Sequence, residues 1–329
     1  FLTVVVSVGG SHPGLLAEVL LSLAAQTSQD FDVVVCCPDT AHEALVDARA
    51  AIADMPEELR ARVELAEVAG GGRGRLFNEG FQRGRGRYLA VLEEDDVAFA
   101  HWVETFAAAA GADSGRLVRT LSATQTVQPG HGDPADSYEP VDRPRCPWPS
   151  RYSMTEHLYQ NRTPICAWAF PRSCVEDLGL RFDETMDAGE GWLFAVQAAL
   201  LCGVTDAPEV TSLRRAWTPE SGPPEDASPA EWHAAHGRVH ADLRAGAWPV
   251  DGSTIAELIG LQAEVEMLRE EQAAAIQEGH RSHGALDDVL RSLDEARHEV
   301  GVLRASSSWR VTAPVRWMAD RLQSTRHAP

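Results

Sequence analysis

Four consecutive carboxylates, Glu93 to Asp96, follow a short apolar segment of this chain. That segment, Arg87–Leu92, has the composition of a buried β-strand. Four adjacent negative charges repel one another, and a divalent cation relieves such repulsion by taking hard oxygen ligands. Because ligands of open α/β sheets bind at the carboxyl ends of strands, the position favours a cation site over an acidic turn that only faces solvent.

A glycine-rich segment, Gly70–Gly74, contains Arg73 and is followed by Arg75. Backbone N–H groups and guanidinium groups both suit phosphate oxygens, so the segment is a candidate diphosphate site. A flexible surface turn explains the same residues equally well. The first turn lacks GxGxxG and the chain has no GxxxxGK[ST], so neither a dinucleotide-binding fold nor a P-loop enzyme is supported.

Alternating strand and helix patterns must position these groups. The predicted strands span residues 2–8, 32–37, 62–68 and 87–92. The predicted helices span residues 13–26, 41–53 and 76–83. This alternation predicts an α/β fold with a mainly parallel sheet and helices on both faces.

Composition limits the function classes. The chain has 329 residues and a formal net charge of -20, and this acidic excess argues against nucleic acid as the main partner. No apolar run approaches the length of a transmembrane helix, and we expect no signal peptide. The six cysteines include no CxxC pair, which indicates reduced, mostly buried thiols in a cytoplasmic protein.

Seven short segments occur in a fixed order along residues 1–217. They are Ala25–Thr27, Asp30–Val35, Asn78–Gly80, Gly86–Asp96, Asn161–Arg172, Leu178–Glu184 and Gly189–Trp192. As an ordered set they resemble family 2 glycosyltransferases, which have the GT-A fold, a Rossmann-like sheet with flanking helices. The first four resemble the half that binds a nucleotide-diphospho-sugar, and the last three resemble the acceptor half.

The resemblance implies an inverting transfer. Mg²⁺ or Mn²⁺ would bridge the donor diphosphate to the acidic motif, with Glu93 and Asp95 as metal ligands. A carboxylate would deprotonate an acceptor hydroxyl, which attacks the anomeric carbon directly. The donor-binding residues carried over by the resemblance, or standing near its motif positions, are Gly9, Ser11, Asp39, Arg73, Asn78 and Glu94.

Several positions depart from the family pattern: Glu93 is a longer substitute for Asp, Gly9-Gly10-Ser11 replaces the usual first turn, and Phe77 stands where Arg often precedes the Asn. Two further departures affect acidic positions. Cys37 stands where the second strand usually ends in Asp, and Gly191 stands where the base is most often found. Glu190 is the remaining candidate base. Alternatively, Glu190 has only a structural role, in which its negative charge stabilises the N-terminus of the following helix.

The C-terminal third has a different pattern. Residues 218–253 are predicted to be a Pro-rich, acidic linker with a short helix over 230–244. That helix carries His233, His236 and His240 on one face, which suits either a zinc site or, as we favour, a solvated surface.

Residues 254–305 are predicted to be a coiled coil, because apolar residues alternate at spacings of three and four from Leu258. Self-association, or pairing with another glycosyltransferase, is favoured over a helix that folds back on the catalytic domain. Residues 306–329 form a basic tail with Trp309 and Trp317, which suits either an anionic membrane surface or a simple linker.

Together these patterns predict a cytoplasmic, bacterial GT-A glycosyltransferase, with a peripheral location at the inner face of the membrane as the alternative. It would use a glycan or lipid-linked acceptor in cell-envelope or polysaccharide synthesis. The alternative is a catalytically impaired GT-A module that acts as a binding or scaffold subunit through its coiled coil.

Overall fold

The structure is a computed structural model that describes residues 1–9, 13–111, 115–130, 138–218, 229–250 and 252–305. Its strands are Leu2–Ser7 (β1), Phe31–Pro38 (β2), Val63–Val68 (β3), Tyr88–Glu93 (β4), Val97–Ala98 (β5), Leu117–Pro129 (β6), Tyr138–Pro140 (β7), Trp168–Pro171 (β8) and Val204–Trp217 (β9). Its helices are Pro13–Ala24 (α1), His42–Ala53 (α2), Glu57–Arg60 (α3), Arg73–Arg83 (α4), Trp102–Ala110 (α5), Met154–Tyr159 (α6), Ser173–Glu176 (α7), Glu190–Cys202 (α8), Pro229–Ala245 (α9) and Gly252–Ala305 (α10).

The N-terminal strands form the parallel sheet that their apolar runs predict. β1 pairs in parallel with both β2 and β4, and β3 extends the sheet beyond β2. All six residues of β1 are buried, because the strand has neighbours on both edges and helices over both faces. The carboxyl ends of β1, β2 and β4 therefore meet at one edge, with the acidic turn among them.

The rest of the sheet is mixed, because short antiparallel pairs join the parallel pairing that the sequence predicts. The strand order is β3-β2-β1-β4-β8-β6-β9-β5, with β7 paired to β6. β8 runs antiparallel to β4 and β6, while β6 and β9 run parallel. β5 pairs antiparallel with β9, which brings β9 beside the acidic turn.

Side chains of β1 alternate between two cores, as a strand period of two requires. Val4 and Val6 pack with residues of α1 and α2, whereas Val5 packs with α4 and α8. Gly80 lets α4 lie close to the sheet, because an added Cβ would meet Val5 Cγ1 at 2.3 Å. This close approach fixes α4, whose first residue is Arg73.

The chain forms two compact units, residues 1–257 and 258–329. In the first, α9 agrees with the predicted helix over 230–244 and packs Ala235 and Val239 against Trp192. Glu257, at the end of this unit, accepts hydrogen bonds from the hydroxyls of Ser153 and Thr155 at 2.9 and 2.8 Å.

In the second unit, α10 displays exposed apolar side chains at the predicted heptad positions Leu258, Leu261, Val265 and Leu268. No partner helix is described for them, so the coiled coil itself stays a prediction. The predicted basic tail, 306–329, lies outside the described residues.

Candidate active site

The acidic turn is closed by its last carboxylate. Asp96 Oδ2 accepts a hydrogen bond from the backbone N–H of Glu93 at 3.0 Å. The Asp96 side chain is buried, and this burial, reinforced by the charges of Asp95 and Glu93, raises its pKa well above the usual range. Burial therefore favours the protonated form of Asp96, which is a structural member of the turn.

Glu94 and Gly9, both predicted to bind the donor, lie together. The Gly9 backbone N–H donates to Glu94 Oε2 at 3.1 Å, which ties the end of β1 to the turn after β4. Ser11, the third predicted donor contact of this region, lies outside the described residues. Asp95 is held from β9, because its Oδ2 accepts from Trp217 Nε1 at 2.9 Å and its backbone carbonyl from Arg215 at 2.8 Å.

Arg73 joins the two predicted catalytic regions. Its guanidinium donates to Glu93 Oε1 at 2.9 Å and to Glu190 Oε1 at 3.0 Å. Glu93 ends β4 and Glu190 begins α8, so one cation bridges the donor-side carboxylate and the candidate base. Glu93 and Glu190 lie 20 and 117 positions from Arg73 in the sequence, and no local pattern predicts that they contact it.

Glu190 is buried with an incomplete set of partners. Only 2% of the residue is exposed, and Oε2 has no hydrogen-bond partner among the described residues. Burial raises the pKa of Glu190 and outweighs the nearby charge of Arg73, which lowers it. Gly189 precedes it with a left-handed φ of 82°, a conformation that favours glycine and turns the chain into α8.

Two adjoining clefts meet at this bridge. The donor-side cleft, about 210 Å³, is lined by residues that include Ser7, Gly9, Pro38, Gly72, Arg73, Glu93, Glu94, Asp95, Arg214 and Arg215. The acceptor-side cleft, about 310 Å³, is lined by residues that include Arg73, Glu93, Trp148, Asn161, Thr163, Gly189, Glu190, Gly191, Trp192 and Arg214. Arg73, Glu93 and Arg214 line both clefts, so the boundary between the clefts carries two cations and one carboxylate.

The other predicted donor contacts have structural partners. Asp39 Oδ1 accepts from the backbone N–H of Gly70 at 3.2 Å and so holds the glycine-rich segment. The Asn78 amide donates to the Phe182 carbonyl at 2.9 Å and accepts from the Phe182 N–H at 2.8 Å, which locks α4 to that loop. Neither residue is part of the lining of the two clefts.

Cys37 does not replace the carboxylate that the family usually has at the end of the second strand. Its thiol is buried, and burial raises its pKa to about 11, with a smaller contribution from Glu94. The thiol is therefore neutral near pH 7. Pro38, the next residue, lines the donor-side cleft instead.

The residues that sequence reasoning missed all belong to β9: Arg214, Arg215 and Trp217. The only signal for them was an adjacent pair of arginines in an acidic chain. Their position beside the acidic turn follows from the pairing of β9 with β5, which sequence periodicity does not reveal.

Two of the three histidines of α9, His236 and His240, have structural roles, whereas His233 is exposed. His236 Nε2 and His240 Nε2 lie 2.8 and 3.0 Å from the carbonyl oxygen of Tyr159, and both rings pack near Trp192. Across the described ranges, no three His, Cys, Asp or Glu side chains are grouped so as to hold a metal ion. The zinc interpretation of this helix therefore has no support in the described residues.

The sequence model named Glycosyl transferase family 2 matches residues 3–170, more than half of the chain. The chain belongs to glycosyltransferase family 2. The matched region covers β1 to β4 and the acidic turn, and Glu190 lies beyond it. A comparison with curated proteins found no match.

Two solved structures resemble this glycosyltransferase in fold. S. aureus TarS, residues 1–349 in complex with UDP-GlcNAc, has a TM-score of 0.54 at 16% identity, covering 72% of this chain and 65% of its own. The mannosyltransferase PcManGT from Pyrobaculum calidifontis, in complex with GDP-Man and Mn²⁺, has a TM-score of 0.50 at 18% identity, covering 75% of this chain and 65% of its own. The matched part is thus less than two thirds of the length of each solved chain.

Within the described parts of this glycosyltransferase, no helix is both long and apolar enough to cross a membrane.

Proposed function

We propose that this protein transfers a sugar from a nucleotide-diphosphate donor to a hydroxyl group of a glycan or lipid-linked acceptor, with inversion. The observation that carries the proposal is the Glu93–Arg73–Glu190 bridge between two adjoining clefts. A donor in one cleft and an acceptor in the other would meet beside this bridge. The structures of related fold that bind UDP-GlcNAc and GDP-Man support a nucleotide sugar as the donor.

Glu190 is the proposed general base. Glu190 lines the acceptor-side cleft, and its buried Oε2 lacks a hydrogen-bond partner among the described residues, which supports its assignment as the group that accepts the proton of an acceptor hydroxyl. Glu190 takes the proton while the hydroxyl oxygen bonds to the anomeric carbon, and the bond from that carbon to the diphosphate breaks. A raised pKa strengthens a carboxylate as a base, provided that it is deprotonated at the working pH.

A divalent cation, Mg²⁺ or Mn²⁺, stays a prediction from the acidic turn. Carboxylate oxygens suit either ion, and when bound it would offset negative charge on the departing diphosphate. However, Glu93 is paired with Arg73, and one Asp95 oxygen accepts from Trp217. The residues therefore fit a cation held by the protein poorly, and the proton transfer above uses Glu190 alone.

The proposed setting is cell-envelope or polysaccharide synthesis in the bacterial cytoplasm. The exposed heptad positions of α10 support self-association or pairing with another glycosyltransferase. Peripheral contact with the inner face of the membrane would come from the tail, residues 306–329.

The second candidate function is a GT-A module that binds but does not transfer. Two observations favour it: Gly191 has no carboxylate, and the neutral Cys37 thiol replaces an acidic residue. Under this hypothesis the donor-side cleft still binds a nucleotide, and α10 recruits a competent partner.

Calorimetry with UDP and GDP, followed by turnover of the corresponding sugar nucleotides on envelope extracts, separates these functions. The enzyme hypothesis expects both binding and sugar transfer, and Glu190→Gln should abolish transfer while it preserves binding. Binding without any transfer supports the scaffold. If no nucleoside diphosphate binds, both hypotheses are wrong about the donor-side cleft.

A further inference from the structure

Two arginines of β9 face the acidic turn, and they differ in how their charge is used. Arg215 is buried, and its guanidinium is already bonded within the protein. It donates to the Asp95 carbonyl at 2.8 Å and to the Tyr138 hydroxyl at 2.7 Å, and it pairs with Glu18. Arg214 is half-buried and lines both clefts. Among the described residues, no hydrogen-bond or ion-pair partner contacts its guanidinium.

Arg214 remains a cation in this position. Burial disfavours its charged form, but the negative charge of the acidic turn, first of all Glu93, raises its pKa. The positive charge of Arg214 is thus stabilised by the acidic turn as a whole, and no single carboxylate forms a close ion pair with it among the described residues. A guanidinium in this state is ready to form charge-assisted, bidentate contacts with phosphate oxygens.

The charges that line the donor-side cleft are balanced within the protein. Three carboxylates, Glu93, Glu94 and Asp95, face three guanidiniums, Arg73, Arg214 and Arg215. Arg73 also serves Glu190 on the acceptor side. A diphosphate entering this cleft therefore meets fixed cations of the chain and does not depend on an added ion to cancel the acidic turn.

The location of Arg214 matches the phosphate next to the sugar. In any nucleotide-sugar transfer, the anomeric carbon is bonded to an oxygen of that phosphate, and the acceptor hydroxyl must reach the same carbon. The phosphate must then lie where the two clefts join. Arg73 and Arg214 are the cations that line both clefts within the described residues.

We propose that Arg214, together with Arg73, binds the diphosphate of the donor, so that nucleoside diphosphate binding does not require a divalent cation. This rests on the proposed function, because it assumes that the donor-side cleft takes a nucleotide. It goes further by assigning the positive charge to two side chains and by opposing the Mg²⁺ or Mn²⁺ prediction for this binding step.

The test is calorimetry on the full chain with UDP, UMP, GDP and GMP, each with EDTA and with Mn²⁺ or Mg²⁺. For the wild type, we expect the preferred diphosphate to bind in EDTA with an affinity within about threefold of that with either metal. We expect the monophosphate to bind more weakly. Diphosphate binding that appears only when a metal is present overturns the inference and leaves the proposed function standing.

Two variants identify the residue responsible. Arg214→Gln should weaken diphosphate binding about 10-fold or more, as expected for loss of a charge-assisted hydrogen bond, and should change monophosphate binding by less than about threefold. Arg214→Lys should recover part of the loss. Equal loss for both nucleotides, with an unchanged melting temperature, overturns the assignment of Arg214 to the diphosphate.

A matched control completes the design. Arg75→Gln removes the same charge just after the glycine-rich segment, but Arg75 pairs with Glu184 outside the lining of the clefts, so diphosphate affinity should stay unchanged. If no nucleotide binds to the wild type under any condition, the proposed function itself is wrong.

Discussion

At the residue scale, Glu190 determines whether this protein is an enzyme. Its carboxylate is buried, held on one oxygen by Arg73, and without a described partner on the other. We expect Glu190→Gln to lower the transfer rate by about 10² to 10⁴-fold, the usual contribution of a general base, while nucleotide affinity stays the same. The measurement is single-turnover transfer beside calorimetry. Wild-type rates in this variant would exclude Glu190 as the base.

The pH dependence of transfer reports the same residue. A base must be deprotonated, so activity should rise with pH through a midpoint above the ordinary value of 4.5 for Glu, because burial raises the pKa of Glu190. Arg73 lowers that pKa, so Arg73→Gln should move the midpoint to still higher pH. The profile is measured at saturating donor, since this variant should also bind the diphosphate less well. A midpoint that does not move would contradict the bridge.

Gly191 offers a gain-of-function test. A Cβ added there would lie 3.4 Å from Ile165, an ordinary contact, so a side chain fits without rearrangement. Gly191→Asp places a carboxylate in the first turn of α8, where negative charge is favourable. If the wild type is impaired, this variant should transfer sugar faster, and Gly191→Ala should not. Equal rates in all three proteins would show that the missing carboxylate is not what limits activity.

At the element scale, α6 contains a buried titratable group. His157 is fully buried, accepts from the Arg162 N–H at 3.3 Å, and has a pKa lowered to about 3 by burial and by the charge of Arg119. In the unfolded chain, the imidazole of His157 binds a proton near pH 6.5, whereas in the folded chain it stays neutral until the pH approaches 3. Stability is therefore unaffected above pH 6.5 and is lost as the pH falls from 6.5 toward 3.

The expected slope from this histidine is about 1.4 kcal/mol of unfolding free energy per pH unit. His157→Asn retains an acceptor near the position of Nδ1 and does not titrate, so it should flatten the slope between pH 6.5 and 5. Urea unfolding of both proteins measures the difference, which cancels the contributions of other groups. Identical slopes would mean that His157 becomes protonated in the folded protein.

Sequence patterns predicted the first half of the sheet because each of its strands is a continuous apolar run beside a helical pattern. The second half could not be predicted in this way. β6 and β9 pair residues such as Ser122 and Ser212, which are separated by a long stretch of chain, and both strands contain buried arginines that interrupt the apolar pattern. Arg119 is fully buried and is satisfied only by Thr163, Asp206 and the Pro149 carbonyl.

The candidate site was likewise predicted only in part from the sequence. The acidic turn, Arg73 and Glu190 were identified from residue type and motif order. Arg214 and the Glu93–Arg73–Glu190 bridge were not, because they depend on where α4, α8 and β9 meet. Asp39 and Asn78 carried a motif resemblance, yet their hydrogen bonds hold loops in place.

At the scale of the whole molecule, the heptad positions of α10 predict assembly. Replacement of Leu261 and Leu268 by Glu should disrupt a coiled coil, because both are apolar core positions of the repeat. Sedimentation should show an oligomer for the wild type and a monomer for this variant. The control replaces Ala263 and Ala274, which lie off the core positions, by Glu and should leave the oligomer intact. A monomeric wild type would contradict self-association.

The bridge through Arg73 also couples the electrostatics of the two clefts. Glu190 is almost fully buried, and a carboxylate removed from water is expensive to keep charged without a cation beside it. Arg73 supplies that cation and also contacts the partly exposed Glu93, which lines both clefts. A substitution at any one of the three residues therefore changes the electrostatic environment of the other two, and a change on the donor side is felt by the carboxylate on the acceptor side.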